Sequence, residues 1–254
     1  MISLTEAQLM AWVSPIFWPF LRVLAVFTSA PIFSSRAFPV RARIGLALLV
    51  AFAAQGSLGA QPVISLGSPQ AFGAALQQVG VGLAIGFAVR SVIAAVELAG
   101  EVIGFQMGLN FAAFFDPSLN SQSSAVARFY GQMAALLFVV VNGHLWILMV
   151  VVRSFDTFPL DQNFLAALAQ MKLFNLGADL FASGLWIALP MIGMLMFVNL
   201  ALGIVSRVAP QMNIYSVGFP VTLSVGLIGI AATLPALDEP FLALMERAMK
   251  VFAI

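Results

Sequence analysis

The stretch Gly104-Phe-Gln-Met-Gly-Leu-Asn-Phe-Ala-Ala-Phe-Phe-Asp-Pro-Ser-Leu-Asn-Ser-Gln-Ser-Ser124 interrupts an otherwise apolar chain near its middle. On its N-terminal side a helical pattern runs from Ala71 to Leu109, and on its C-terminal side a second begins at Ala125. Pro117 has no backbone N–H and drives Asp116 out of the α region, so the first helix is expected to end there. Ser123 or Ser124 is placed to cap the helix that follows, by accepting a hydrogen bond from one of its free N–H groups. Phe111, Phe114 and Phe115 sit beside Asp116-Pro117 and a string of Ser and Asn. An aromatic cluster next to a polar loop fits either a pore plug or a bent connection packed in a core.

Working outward, the composition sets the class. Apolar residues make up 62% of the 254 positions and charged residues only 8%. A water-soluble domain carries about a quarter charged residues. The long uncharged runs are those of membrane helices. A formal net charge of +1 leaves no basic stripe for phosphates, which excludes nucleic acid as a partner. The absence of Cys removes disulfides, thiolate metal sites and cysteine catalysis. No Lys or Arg precedes the first apolar run, so that run is not read as a cleaved signal peptide. The expected fold class is all-α, an integral membrane-type helical protein of long kinked helical hairpins.

Six spans are expected. Ala11–Phe33 carries Pro15, Pro19 and Pro31, which a membrane helix tolerates when its neighbours satisfy the freed carbonyls. A loop over Ser34–Arg43 holds Arg36, Arg41 and Arg43 and is the best candidate for the cytoplasmic side. The second span, from Ile44 to about Ala60, is short. The third pattern, from Ala71 to Leu109, would measure ~58 Å as one helix, against a hydrocarbon core of ~30 Å. Gly100, Gly104 and Gly108 form a four-residue stripe on it, and Gly82 and Gly86 repeat the spacing; small residues so placed let another helix backbone approach. A fourth helix is expected over Ala125–Val152, with the only histidine, His144, inside it. A mixed connection over Arg153–Lys172 follows, then a fifth pattern from about Phe164 to Ser206. The break Ser206–Asn213 leads to a sixth helix, Ile214–Leu234, and Phe241–Phe252 reads as a short amphipathic tail.

Arg22, Arg90, Glu97, Glu101 and Asp179 fall inside these apolar patterns and form a candidate intramembrane charge network. A central Arg or Asp costs roughly 2.5–3.5 kcal/mol on insertion scales. Five facing lipid would cost on the order of 10–15 kcal/mol, comparable with the stability of a whole domain. They must face one another, partner subunits or water. Arg90, Glu97 and Glu101 share one helical stripe, which favours structural ion pairs, such as Arg90 with Glu97, over a proton path. His144 has no Cys or acidic neighbour at helical spacing and makes a poor metal ligand. No phosphate loop, triad or paired carboxylates rise above background, so neither an enzyme nor a cofactor site is expected.

Five segments carry a resemblance: Arg41-Ala-Arg-Ile-Gly-Leu-Ala-Leu48, Gly104-Phe-Gln-Met-Gly-Leu-Asn110, Phe115-Asp-Pro117, Asn142-Gly-His144 and Leu202-Gly-Ile-Val-Ser-Arg-Val-Ala-Pro-Gln-Met-Asn-Ile-Tyr-Ser-Val-Gly-Phe-Pro220. With these the chain resembles, over nearly its full length, the FliR family of export-gate proteins from flagellar and injectisome type III secretion systems. The last segment is the most specific.

The resemblance implies a single-copy subunit that joins several FliP and FliQ chains in a helical assembly at the entrance of a secretion channel. Residues 1–160 would be a FliP-like helical unit. Residues 161–254 would be a FliQ-like hairpin with a short C-terminal helix. The segment from Gly108 to Ser124 would be the channel plug, with Gly108, Phe111, Phe114, Phe115, Asp116 and Pro117 as its marked residues. Arg207, Pro210, Gln211 and Asn213 would form a hairpin tip near the cytoplasmic mouth and an FlhB-type partner, and Gly100 and Gly104 a helix-packing seam. The implied cargo is unfolded flagellar export substrate. The implied place is the bacterial inner membrane, in the flagellar basal body, with the assembly projecting toward the periplasm. An injectisome homologue and a stand-alone secondary transporter are the alternative readings.

Overall fold

The computed structural model describes residues 6–36, 38–58, 62–65, 67–109, 124–160, 164–211 and 214–252. The described residues form helices and turns, without strands. The helices are α1 (Glu6–Ser29), α2 (Val40–Ala54), α3 (Pro69–Gln106), α4 (Ala125–Val140), α5 (Gly143–Thr157), α6 (Phe164–Met171), α7 (Leu173–Val208), α8 (Ile214–Thr233) and α9 (Asp238–Lys250), with a 3-10 turn at Leu234–Ala236. Among the described residues four helical stretches are long and apolar enough to cross a membrane: Met10–Ser29, Pro69–Gln106, Phe164–Val208 and Ser216–Ala236. The α4–α5 pair, bent by 67°, adds a fifth if it counts as one span.

Four boundaries differ from the sequence expectation. α3 ends at Gln106, close to the Leu109 end of the helical pattern and well before the stop expected at Asp116-Pro117. Gly108 has φ +79. Its N–H donates to the Phe105 carbonyl at 3.0 Å, and the Leu109 N–H donates to the Gly104 carbonyl at 3.1 Å. That pair of bonds closes a helix on a left-handed glycine and satisfies its last carbonyls. The fourth helix is not continuous. Asn142 adopts φ 56, ψ 36, a left-handed conformation that Asn tolerates better than most residues, and the chain turns between α4 and α5. The connection over Arg153–Lys172 is largely helical, because α5 runs on to Thr157 and α6 starts at Phe164. Arg41 and Arg43 likewise lie in the first turn of α2, just after Pro39 at its N-cap, and not in a loop.

The chain divides into two compact units. The first gathers residues 1–91, 138–177 and 245–254, and the second residues 92–137 and 178–244, so α3 contributes to both. In the first unit α1 packs against α2, whose buried face is the small-residue row Ala47, Ala51 and Ala54. Trp18, Ile64, Ala71, Ala74 and Leu160 make a core cluster. Inside the cluster's border the buried Ser14 hydroxyl accepts from the Trp18 indole N–H at 2.9 Å and from the Ile64 N–H at 3.3 Å. Gly82 lies against the Arg22 carbonyl and Ala25, and Gly86 against Ser29 and Ala30, so α1 and α3 meet backbone to backbone. Phe158 and Phe252 face each other with ring centroids 6.3 Å apart. In the second unit Gly184 of α7 meets Ala95 and Leu98 of α3, while Gly226 and Gly229 of α8 meet Met107 and the Met191–Met194 pair.

Burial is uneven along the membrane-type helices. The most apolar window of Pro69–Gln106 is 67% buried, but that of Phe164–Val208 is 17% and that of Ser216–Ala236 is 22%. The first is a core helix. The other two present apolar surface along nearly all of their length.

Candidate functional site

The second unit holds the place where the central segment leaves and rejoins the helices. α3 ends in the Gly108 turn. Across that turn lies α8: the Phe219 ring stands 3.5 Å from where a Gly108 Cβ would be, and the Thr222 hydroxyl lies 3.3 Å from the Met107 carbonyl, sharing its one proton between that oxygen and the Gly218 and Phe219 carbonyls of α8, each at 3.1 Å. The chain returns at Ser124, the N-cap of α4, whose hydroxyl accepts from the Ala127 N–H at 3.1 Å. Ser124 is also held by α3. Its backbone N–H donates to Glu101 Oε2 at 3.0 Å, and its Oγ lies 2.9 Å from the Cβ position of Gly104.

Gly100 continues this seam one turn earlier. A Cβ there would stand 2.8 Å from Ala127 Cα and 2.9 Å from the Val126 carbonyl oxygen, which is backbone that cannot swing aside. The absence of a side chain at Gly100 is what lets α3 and α4 touch. This contact is made within the chain. Phe111, Phe114, Phe115, Asp116 and Pro117 lie outside the described residues, as does Asn213.

The five charges proposed as a network divide between the units. Arg22 and Arg90 belong to the first, Glu97, Glu101 and Asp179 to the second. Arg22 is fully buried, and its guanidinium is satisfied by neutral acceptors. Nε donates to Gln78 Oε1 at 2.8 Å, Nη1 to Ser154 Oγ at 2.9 Å and Nη2 to the Phe158 carbonyl at 2.7 Å. Cζ lies 3.6 Å from the centre of the Phe155 ring, a cation–π distance. The amide of Gln78 then donates to Gln77 Oε1 and that of Gln77 to the Pro159 carbonyl, each at 3.1 Å. This network ties α1, α3 and α5 around one cation. The paired glutamines in the apolar run of α3 were its visible trace in the sequence.

Arg90 and Asp179 are exposed, and Glu97 lies with its carboxylate over Gly131 of α4. His144 is half-buried in the first turn of α5. Arg207 in the last turn of α7, Pro210 and Gln211 are exposed at the α7–α8 turn.

Described residues that are all helix and turn, with long membrane-type helices, a glycine-seamed core helix and a proline-bearing polar turn between two exposed apolar helices, define a membrane-protein class. The chain belongs to the family of bacterial export proteins, family 1, whose model matches residues 13–248. It is 43% identical over 243 residues to the flagellar biosynthetic protein FliR of Escherichia coli K12, covering 95% of this chain and 92% of that one. The protein of the same name from Pectobacterium carotovorum is 40% identical over 246 residues, covering 95% and 92%. That from Bacillus subtilis is 33% identical over 215 residues, covering 82% of each chain.

Proposed function

We propose that this chain is a subunit of the flagellar type III protein export gate, joining FliP and FliQ subunits in the bacterial inner membrane to form the entrance of a protein-conducting channel. The family match and the names of the three relatives above, each a flagellar biosynthetic protein, support the flagellar over the injectisome version. In this reading residues 1–160 are the FliP-like part and 161–254 the FliQ-like hairpin. The segment from Gly108 to Ser124 is the plug, with the rings of Phe111, Phe114 and Phe115 in the lumen beside Asp116-Pro117. A ring of apolar side chains in a narrow passage obstructs ions by excluding water. Arg207, Pro210, Gln211 and Asn213 face the cytoplasmic mouth and an FlhB-type partner, and unfolded flagellar export substrates are the cargo. The assembly belongs to the basal body and projects toward the periplasm.

The observation that carries this reading is the surface of α7. Its 36 residues make a rod of ~54 Å. Even at a tilt of ~40° it projects ~41 Å, beyond a hydrocarbon core of ~30 Å. Yet its large apolar side chains are exposed from one end to the other: Phe174 76%, Trp186 71%, Phe197 75% and Val208 78%. Lipid covers only part of such a helix, and the remainder needs apolar protein surface from neighbouring subunits. A stand-alone transporter has no source for that cover.

Expression with and without FliP and FliQ is the test. The chain should aggregate or be degraded alone and be recovered in a discrete complex when all three are made together. A monodisperse chain that moves solute by itself would overturn the proposal.

A further inference from the structure

We infer that the first turn of α2 binds an anionic phospholipid, its phosphate held by Arg41 and Arg43 and an acyl chain laid along the exposed row Ile44, Leu48 and Phe52. The site lies wholly within the first unit, and it goes beyond the export-gate reading without depending on it.

The charge balance of this region points to the ligand. From residue 7 to residue 96 the chain carries five arginines, Arg22, Arg36, Arg41, Arg43 and Arg90, and no Asp, Glu or Lys. Arg22 is satisfied inside the protein by neutral acceptors. Arg36 and Arg41 are exposed. Among the described residues no side-chain hydrogen bond or ion pair holds Arg36, Arg41 or Arg43. Arg43 is half-buried, with its Nε enclosed and lacking an acceptor. A guanidinium left in that state costs free energy until an anion from outside the chain meets it.

The helix end adds to the attraction. The first turn of α2 has no acidic residue, and Pro39 at its N-cap offers no side-chain acceptor. A helix N-terminus carries partial positive charge and unpaired N–H groups, so it repels the two arginines and attracts a phosphate. Residues two apart lie on opposite sides of a helix, but every Cα–Cβ bond tilts toward the N-terminus, which directs both arginines to the same end. Their planar forks match phosphate oxygens in pairs.

The residues that follow select a lipid over a soluble anion. Ile44, Leu48 and Phe52 recur at four-residue spacing and are exposed, while Ala47, Ala51 and Ala54 are buried on the face that packs against α1. Arg41 heads the exposed row, three residues before Ile44. The stretch 44–54 rises ~15 Å, half of a hydrocarbon core of ~30 Å and so the depth of one leaflet. A phosphate at the arginines therefore sets the acyl chains of the same molecule beside the row. A zwitterionic lipid brings its own cation to a site that already has two, whereas an anionic one brings none.

The test uses the full chain, purified with cysteine-free forms of the subunits it assembles with and reconstituted in phosphatidylcholine vesicles. This chain has no Cys, so Leu48→Cys gives it a single labelling point, and a fluorophore there is quenched by lipids with brominated acyl chains. Brominated phosphatidylglycerol, added sparingly, should quench about twenty-five times more effectively per molecule than brominated phosphatidylcholine, about fivefold for each arginine. Arg41→Gln should lower that preference about fivefold, and Arg41→Gln with Arg43→Gln should abolish it. Lys at both positions should keep it within a few-fold, because an ammonium still binds phosphate as a point charge. Arg41 is exposed and unbonded, so Arg41→Gln decides the matter if the double variant fails to assemble.

Four results would overturn the inference. Equal quenching by the two lipids would mean contact without recognition. Absence of quenching by either would mean that protein, such as an acidic segment of a partner subunit, covers the row. A preference unchanged in Arg41→Gln and in the double variant would place its source elsewhere. Inorganic phosphate that removes the preference at an ionic strength where sodium chloride does not would assign the arginines to free phosphate.

Discussion

At the scale of the residue, Arg22 is the most consequential side chain in the first unit. A buried guanidinium usually implies a carboxylate, and the cost of insertion placed Arg22 among five charges expected to face one another, partner subunits or water. The structure instead spends all three nitrogens on neutral oxygens and the cation on an aromatic face. Removing it leaves Gln78, Ser154 and the Phe158 carbonyl without their donor. Each buried acceptor so stranded costs about 1–3 kcal/mol. Arg22→Ala is therefore expected to destabilise by on the order of 3 kcal/mol or more, read as a drop in the thermal midpoint of the purified complex. Arg22→Lys restores a charge but not the planar fork, and should recover only a minor part of the loss. Full recovery with Lys would mean that charge alone, not three-way bonding, is what the site needs.

At the scale of the element, the α3–α4 seam ranks its glycines. Gly100 faces backbone, so an added methyl must push two helices apart, at about 1–3 kcal/mol. Gly104 faces the Ser124 side chain, which can turn away at the loss of its cap, about 1 kcal/mol. Gly100→Ala should therefore lower complex recovery and thermal midpoint more than Gly104→Ala, and Gly104→Leu should prevent assembly. The reverse order would show that α3 and α4 separate freely. Gly108→Ala places a Cβ in a left-handed conformation and should cost a further ~1 kcal/mol, visible as faster amide exchange at Leu109.

The same element shows what the sequence could and could not disclose. The helical class, the length of α3 and the cap at Ser124 were legible, because they follow from composition, unbroken periodicity and a hydroxyl before an apolar run. The end of α3 was misplaced because Gly108 fits two patterns at once. It completes the Gly100/Gly104 stripe, which hides its part as a stop signal, and Pro117 supplies a louder one. The turn at Asn142-Gly143 was missed for a related reason. The apolar run continues through it, and an Asn followed by Gly carries no hydrophobic signal of its own. The neutral partners of Arg22 come from residues 56 to 136 positions away, beyond any local pattern.

At the scale of the whole molecule, orientation is the first quantity to measure. Gln211 is exposed in the turn between α7 and α8. A cysteine placed there should react with a membrane-impermeant reagent applied from the cytoplasm and stay unlabelled when only the periplasm is treated. Periplasmic labelling alone would invert the proposed topology.

The division of the chain has a further consequence, for the order of manufacture. The second unit is complete once residue 244 has been made, whereas the first still lacks residues 245–254. Those last residues are not ornamental: Met245 and Phe252 are fully buried, and Phe252 faces Phe158. Chains usually settle from the N-terminus forward as they leave the ribosome. Here the part begun first is finished last. While residues 178–244 are being made, the nascent first unit has its Phe158 face uncovered, a window in which insertion machinery or a partner helix has access to surface that Phe252 later closes.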